Sequence, residues 1–248
     1  MPAVLVHGHP ESAAIWDDLL PFLARTDVIT LSPPGYGSPV PDGFAATADE
    51  YRDWLASELK RVEGPIDLVG HDWGGIHVMR IAMEQPELIR SWATDAAGVF
   101  DPDYVWHDLA QIWQRQEAGE QAVAKTAAMP VESLARRYES LGIGKAAAIK
   151  VAAAFDASMG RCMLALYRSA AQPALSKWGK RLGDAARRPG LVIVATEDHF
   201  CGGEAMQRRS AETSGASVAV LHGLGHWWMC QDPRRGAGAL TEFWSGLE

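Results

Sequence analysis

Short apolar runs rich in β-branched residues alternate along the chain with longer segments in which apolar residues recur at helical spacing. The runs predict six strands, at Ala3–His7, Asp27–Ser32, Ile66–Val69, Ser91–Asp95, Leu191–Thr196 and Ser217–Leu221. Between the second and third strands, Thr47 and Glu50 form a capping box that opens a helix. Asp232 followed by Pro233 predicts the start of the final helix. Strands that alternate with helices indicate an α/β fold with a mostly parallel sheet.

This alternation stops between the fourth and fifth strands, where the sequence has helical periodicity only. Five helices are predicted there, at Tyr104–Gln116, Glu120–Met129, Val131–Leu141, Lys145–Ala157 and Arg161–Ala171. We therefore expect a core domain made of residues 1–100 and 188–248, and an all-helical cap made of residues 101–187. An insertion at this point of the chain, followed by a return to the sheet, predicts a lid over one end of the sheet.

Composition and charge limit the classes of partner. A chain of 248 residues allows one α/β domain with an inserted lid. The formal net charge of -8, without a basic stripe, argues against a nucleic-acid partner. The three cysteines form no CxxC pair, no signal peptide is evident, and no apolar stretch approaches the roughly 20 residues that span a bilayer. We expect a cytoplasmic protein with reduced thiols and no membrane partner.

The strongest candidate for chemistry lies where the third strand meets the following helix. Gly70, Asp72 and Gly74 fit the small-x-nucleophile-x-small pattern of a nucleophile elbow. Glycines allow the close approach of strand and helix in this turn, and the helix N-terminus stabilises negative charge on the central side chain. A plain helix cap is the alternative role for Asp72.

The first strand ends in His7, Gly8, His9 and Pro10. In a fold of this kind, the backbone N–H of His9 would be the second donor of an oxyanion hole. A simple turn is the alternative. A metal site is disfavoured, because no further ligands follow at a recognisable spacing.

The remaining catalytic groups are predicted near the C-terminus. His226 lies in a loop after the last strand and is the candidate base, whereas His222 at the strand end is better explained as structural. Asp198 follows the fifth strand and is the candidate acid that orients the histidine. Asp95, at the end of the fourth strand, is the alternative acid. The chain order of nucleophile, acid and histidine is the one described for nucleophile-elbow hydrolases.

These motifs resemble the epoxide hydrolase and haloalkane dehalogenase branch of the α/β-hydrolase family. The resemblance implies an α/β-hydrolase fold with a helical cap and a cofactor-independent enzyme. The chain departs from it in one respect: members usually have two antiparallel strands before the strand that ends at His7, and here these strands are expected to be missing. It also implies that Asp72 forms an alkyl ester, which water activated by His226 cleaves while the amides of His9 and Trp73 hold the oxyanion. Because carboxylate attack on an ester would give an anhydride, an aspartate favours epoxides or alkyl halides as substrates.

The cap should identify the leaving atom. Tyr167 resembles the second of the two cap tyrosines with which epoxide hydrolases protonate the oxirane oxygen, but the first has no match. A single tyrosine, His107 or a tryptophan N–H could take that place, or the substrate is not an epoxide. Tyr167 could also simply pack on the core. We favour an epoxide hydrolase-like enzyme; the alternatives are a dehalogenase or other C–O hydrolase with the same triad, and an inactive ligand-binding member.

Two further expectations concern the pocket and the sheet edge. An apolar pocket for a small organic substrate is predicted from five of the 10 tryptophans, Trp73, Trp106, Trp113, Trp227 and Trp228, of which about half are expected to line it. Without the usual N-terminal strands, Asp27–Ser32 becomes an edge strand. An uncovered edge favours pairing with a second copy, so a homodimer or a smaller sheet is expected.

Overall fold

The computed structural model describes residues 1–247 and contains one sheet of six parallel strands. The strands are β1 (Ala3–Val6), β2 (Val28–Leu31), β3 (Asp67–Gly70), β4 (Ser91–Thr94), β5 (Gly190–Ala195) and β6 (Ser217–Leu221). Their order in the sheet is β2-β1-β3-β4-β5-β6. All six agree with the strands predicted from the sequence to within two residues at either end, and the predicted α/β class with a parallel sheet is confirmed.

Eleven α-helices are found among the described residues. They are α1 (Ala48–Leu59), α2 (Trp73–Glu84), α3 (Asp108–Gln114), α4 (Ala118–Ala127), α5 (Val131–Ser140), α6 (Lys145–Ala154), α7 (Ala157–Ser169), α8 (Ala174–Gly179), α9 (Gly203–Thr213), α10 (Trp228–Gln231) and α11 (Pro233–Ser245). The predicted capping box of Thr47 and Glu50 is present at α1, and Asp232 caps α11 by accepting a hydrogen bond from the N–H of Arg235. Both helix starts follow directly from side chains that satisfy free N–H groups.

The sheet is apolar on both faces, as expected of parallel strands that are covered by helices. Successive residues of a strand point to opposite faces, so Val4 joins the apolar cluster on one face and Leu5 the cluster on the other. Along β3 the same alternation places Leu68 and Val69 on opposite faces. The strands are therefore fixed in position, and the loops at their carboxyl ends project from a rigid base.

Helices α3–α8 lie between β4 and β5 in the chain, where the cap was predicted. The hydroxyl of Ser169, at the end of α7, accepts a hydrogen bond from the N–H of Ala48 at the start of α1 (2.9 Å). On the opposite side, Lys150 of α6 forms an ion pair with Asp17. These contacts tie the helical insertion to the core, and the domain division at residues 101 and 187 stays a prediction.

Helices α5 and α6 begin at the predicted residues, Val131 and Lys145, whereas α3, α4 and α7 begin elsewhere. α3 begins at Asp108 rather than near Tyr104, because Nδ1 of His107 caps it by accepting the N–H of Ala110. α7 begins at Ala157 rather than Arg161, because the carboxylate of Asp156 accepts the N–H of Met159. For α3 and α7 a side-chain cap, which hydrophobic periodicity does not report, sets the boundary. Helix α8 was not predicted.

Strand β2 forms one edge of the sheet, and its Ile29 is 37% exposed. The sheet is thus the smaller one that the sequence allowed, and the homodimer stays a prediction. Within residues 1–247, no helix is both long and apolar enough to cross a bilayer.

Candidate active site

Asp72 occupies a strained turn between β3 and α2. Its backbone has φ of 50° and ψ of -122°, values that non-glycine residues rarely adopt. A Cβ atom on Gly70 would lie 2.4 Å from the carbonyl oxygen of Gly74, and one on Gly74 would lie 2.2 Å from the carbonyl oxygen of Val6. Glycine at both positions is therefore required sterically, and the turn has the geometry of the predicted nucleophile elbow.

The Asp72 carboxylate rests against the loop that follows β1. Its Oδ1 accepts a hydrogen bond from the N–H of His9 over 2.9 Å. The loop comes so close that a Cβ atom on Gly8 would lie 2.4 Å from both Cβ and Oδ1 of Asp72. The predicted oxyanion donor, His9, therefore already contacts the candidate nucleophile.

The protonation of Asp72 reflects competing effects. Burial raises the pKa of Asp72 to about 6, while the charges of His226 and His71 and the N–H of His9 act in the opposite direction. The side chain is 14% exposed. At neutral pH Asp72 is thus a carboxylate that few water molecules solvate, which is the state a carboxylate nucleophile needs.

His226 lies between Asp72 and Asp198. Its Nδ1 is 2.9 Å from Oδ2 of Asp198, and its Nε2 is 3.7 Å from Oδ2 of Asp72. Burial lowers the pKa of His226, but the charge of Asp198 and the hydrogen bond to it outweigh burial, so the pKa is raised. Asp198 is itself fixed by the N–H of Phe200, which donates to its Oδ1 (2.7 Å). The residue predicted as the base therefore lies between those predicted as nucleophile and acid, with one ring nitrogen directed to each carboxylate.

Asp95, the alternative acid, is occupied elsewhere. Its Oδ1 accepts the backbone N–H of Asp72 (2.9 Å), and its Oδ2 accepts the indole N–H of Trp228 (2.6 Å). The same Oδ2 lies 2.5 Å from Nδ1 of His71. Asp95 therefore holds the elbow, while Asp198 is the carboxylate that contacts His226.

Sequence reasoning missed a buried pair of opposite charge beneath the elbow. Nε2 of His71 lies 3.2 Å from Oε1 of Glu11, whose other oxygen accepts the N–H of Gly8. Burial lowers the pKa of His71, but the charges of Asp95 and Glu11 outweigh it and hold the pKa well above its ordinary value. The pKa of Glu11 falls to about 2, because the charge of His71 overcomes burial. His71 is thus an imidazolium between two carboxylates. Glu11 and His71 are 60 positions apart, so no local signal could have paired them.

A cavity of about 350 Å³ opens in front of Asp72 and His226. The cap and the loops above the sheet form its walls, and most of the side chains that line it are apolar or aromatic: Leu109, Trp113, Met129, Leu134, Tyr138, Leu141, Phe155, Met163, Tyr167, Phe200 and Trp227. This lining suits a small organic substrate with a substantial apolar part. Tyr138 was not singled out in the sequence, although it follows Leu134 at helical spacing on α5.

Two of the five tryptophans considered, Trp113 and Trp227, line the cavity. Trp106 does not: it stacks on Trp73, with ring centroids 5.6 Å apart, and lies behind Tyr167. Its predicted place in the substrate pocket is therefore corrected to a supporting one. The Trp73 ring is fully buried, so its predicted role rests on its backbone amide. Trp228 lies beneath the elbow on Asp95.

Tyr167 projects from α7 to the cavity wall and packs edge-on against Trp73, with ring centroids 5.1 Å apart. Burial and the charge of Asp72 raise the pKa of Tyr167 well above its ordinary value, although the nearby indole N–H of Trp73 acts to lower it. A tyrosine in this state keeps its proton at neutral pH and can donate it to a ligand in the cavity.

His107 also lines the cavity. Burial, followed by the charge of His226, lowers the pKa of His107 to about 4, so the ring is neutral. Since Nδ1 accepts the N–H of Ala110 (3.2 Å), the ring proton is on Nε2. His107 therefore supplies a second uncharged donor beside Tyr167, at the helix start where the sequence lacks a tyrosine.

The ligand types required by a metal ion do meet at this site. Asp198, Cys201 and His226 have potential ligand atoms within 4.8 Å of one another, as do Glu11, His71 and His226. In each group, however, one histidine nitrogen is already occupied by a carboxylate: Nδ1 of His226 by Asp198, and Nε2 of His71 by Glu11. This donor set fits the triad geometry better than a metal centre.

Comparison with known proteins places the chain in a family. A profile of the alpha/beta hydrolase family matches residues 3–239. The chain is 24% identical over 128 residues to (E)-2-((N-methylformamido)methylene)succinate hydrolase of Acinetobacter baylyi. The matched segment covers 51% of this chain and 43% of that protein. It is 38% identical over 128 residues to the probable oxidoreductase EphD of Mycobacterium tuberculosis (45% of this chain, 20% of that protein). It is 34% identical over 102 residues to bifunctional epoxide hydrolase 2 of Sus scrofa (38% of this chain, 18% of that protein). The matched segments span less than half of each relative.

Solved structures agree over nearly the whole chain. Haloalkane dehalogenase DbeA from Bradyrhizobium elkani is similar with a TM-score of 0.76 at 18% identity, covering 99% of this chain and 90% of that chain. E-2-(acetamidomethylene)succinate hydrolase is similar with a TM-score of 0.70 at 18% identity, covering 98% of this chain and 91% of that chain. At these identities the likeness shows a shared fold. Taken with the profile match and the motifs, it shows that the chain belongs to the alpha/beta hydrolase family.

Proposed function

We propose that this hydrolase opens epoxides through an ester of Asp72. The observation that carries the proposal is the position of an aspartate, rather than a serine, at the elbow, with His226 Nε2 3.7 Å from its Oδ2 in a mostly apolar cavity that Tyr167 also lines. The similarity to an epoxide hydrolase over part of the chain supports it. A serine in this place would favour esters, whereas a carboxylate favours attack on saturated carbon.

In the first step, Oδ2 of Asp72 attacks a carbon of the oxirane. The new C–O bond forms as the ring C–O bond breaks, and the ring oxygen takes the electron pair. The phenol of Tyr167 donates its proton to that oxygen. Oδ1, held by the N–H of His9, becomes the carbonyl oxygen of the ester.

His107 assists this step as a hydrogen-bond donor. Its pKa of about 4 keeps the ring neutral, and its Nδ1 is occupied by the N–H of Ala110. The Nε2–H is then available to the opening oxygen from a second direction. In this role His107 takes the place of the first cap tyrosine of epoxide hydrolases, which the sequence lacks.

In the second step, water cleaves the ester. His226 removes a proton from the water as the oxygen attacks Cγ of Asp72, and Asp198 stabilises the resulting imidazolium. The negative charge that develops on Oδ1 is held by the N–H of His9 and by the backbone N–H of Trp73. Collapse of the tetrahedral intermediate releases a vicinal diol and restores the carboxylate. Tyr167 recovers its proton from solvent or from His226.

The decisive experiment traps the ester. Purified His226→Gln protein is incubated with an epoxide panel and examined by intact-protein mass spectrometry. We expect a stable mass increase equal to that of the epoxide, located on the peptide that contains Asp72. The double variant Asp72→Asn, His226→Gln is the matched control and should gain no mass. If no epoxide labels the His226→Gln protein, the proposal is wrong and a ligand-binding role for the cavity gains weight.

A dehalogenase is the second candidate, and one observation favours it. Both ring nitrogens of His9, which lines the cavity, are buried without a hydrogen-bond partner among the described residues. The ring N–H of His9 could stabilise a departing halide. With a haloalkane panel, the dehalogenase candidate predicts halide release together with an alkyl adduct on Asp72, and the epoxide proposal predicts neither.

A further inference from the structure

The mouth of the cavity carries positive charge. Lys125 of α4 and Arg137 of α5 line it, and both are exposed. Neither forms an ion pair with any residue between Met1 and Leu247. Of the described residues that line the cavity, Asp72 is the one carboxylate, and it lies at the closed end. Two free cations at this place are notable in a chain with a net charge of -8.

The two helices present these cations in the same way. The residues of α4 and of the turn after it that line the cavity are Ala122, Lys125, Thr126 and Met129, and those of α5 and its C-cap are Leu134, Arg137, Tyr138 and Leu141. Both sets follow the spacing i, i+3, i+4, i+7 of a single helix face. The cation is the second member of each set. Lys125 and Arg137 therefore belong to the faces that enclose a ligand.

The guanidinium of Arg137 acts on the cavity interior. Burial raises the pKa of Tyr138, and the charge of Arg137 opposes that rise. Tyr138 is 7% exposed and lines the cavity beside Leu134. Because Arg137 itself lines the cavity, its guanidinium can meet the polar end of a ligand there.

We propose that the substrate is amphiphilic: an apolar epoxide whose far end carries a carboxylate, bound at the mouth by Lys125 and Arg137. This inference rests on the proposed epoxide opening for the reacting end only. The apolar segment lies against Met129 and Leu134, and the carboxylate stays partly hydrated at the rim. The planar fork of Arg137 suits a carboxylate, and the compact ammonium of Lys125, on its flexible stem, adds a second charge.

The test compares two matched epoxides, para-carboxyphenyl glycidyl ether and its neutral amide, para-carbamoylphenyl glycidyl ether. We expect a higher kcat/KM for the acid, and a preference that shrinks as salt is added. In the Lys125→Gln, Arg137→Gln variant, the preference for the acid should fall by about 3- to 20-fold, because the KM for the acid rises. Arg136→Gln is the control, since this exposed neighbour bonds to Ser133 and does not line the cavity. An unchanged preference in the double variant overturns the inference.

A binding measurement separates this inference from the proposed reaction. The diol acid and the diol amide derived from the two ethers are titrated calorimetrically into Asp72→Asn protein, with and without Arg137→Gln. If the acid binds more tightly than the amide, and Arg137→Gln abolishes the difference, the anion site is supported even when His226→Gln traps no ester. Equal binding of acid and amide, in a protein whose His226→Gln form does trap an ester, refutes the anion site alone.

Discussion

The N–H of His9 donates a hydrogen bond to Oδ1 of Asp72 over 2.9 Å. The second oxygen, Oδ2, lies toward Nε2 of His226. The two oxygens of one carboxylate are therefore distinct before any substrate binds. Oδ1 is already placed in the oxyanion site, and Oδ2 is left to attack.

This distinction predicts the fate of labelled oxygen. With enzyme in excess over epoxide, in water enriched in heavy oxygen, the first turnover should give an unlabelled diol, because the diol takes Oδ2 from Asp72. The label should appear in the carboxyl group of Asp72. Mass spectrometry of the diol and of the peptide carrying Asp72 measures both. Label in the diol after one turnover would mean that water attacks the epoxide directly.

The raised pKa of Asp72 predicts that Asp72→Asn stabilises the protein at neutral pH. A folded-state pKa of about 6, against an ordinary 3.8, means that the ionised carboxylate is less favourable in the folded state. Stability that is present below pH 3.8 is then lost as the pH rises through 6. We expect the free energy of unfolding of Asp72→Asn to exceed that of the parent protein at pH 8 by on the order of 2 kcal/mol, and to equal it at pH 3. Urea unfolding at both pH values checks this, and an equal advantage at pH 3 would contradict it.

Substitution of Asp198 should affect mainly the reaction rate, whereas substitution of Asp95 should affect mainly the stability of the fold. Asp198→Asn removes the charge that supports the imidazolium of His226, so ester hydrolysis should slow by about 10²- to 10⁴-fold while the fold persists. Asp95→Asn leaves the His71 imidazolium with one carboxylate and should cost about 3 kcal/mol of stability. Rapid-quench mass spectrometry of the ester and thermal unfolding measure the two effects. Comparable stability losses in both variants would contradict the division of roles.

How much of this site could be predicted from the sequence depended on the range of the interactions. The elbow and the order of its partners were predictable, because Gly70, Asp72 and Gly74 are close in the chain and each partner follows a strand. The pair of Glu11 and His71 was not, because these residues are 60 positions apart and meet only through the pairing of β1 with β3.

The helices of the cap were predictable from the sequence, but the residues with which the cap lines the cavity were less so. Apolar periodicity indicated α4 and α5, but it does not say which face meets the cavity. Trp106 illustrates this: it lies in the segment expected to line the pocket, yet it packs behind Tyr167 on the ring of Trp73. The start of α3 depended on His107, a residue with no strong capping preference.

His107 should be testable without disturbing α3. Asparagine is a favoured N-cap, so His107→Asn can keep the bond to the N–H of Ala110 while it removes Nε2–H from the cavity. We expect epoxide opening to slow by about 10- to 100-fold, with thermal stability unchanged. His107→Ala should lose about 1 kcal/mol of stability in addition. Stopped-flow alkylation rates and unfolding curves distinguish the two, and an unchanged rate in His107→Asn would exclude the donor role.

Gly8 tests whether the carboxylate sits where the structure places it. A methyl group at this position would lie 2.4 Å from Oδ1 of Asp72, so Gly8→Ala must displace the carboxylate from the N–H of His9. A displacement of about 1 Å should lower the alkylation rate by roughly 100-fold. Gly238→Ala is the matched control: no atom lies within 4 Å of its added Cβ, and it sits inside α11. That substitution should raise stability by about 1 kcal/mol and leave activity unchanged. Because both changes add one methyl group to a glycine, full activity in Gly8→Ala would show that the contact between the first loop and Asp72 is not required for attack.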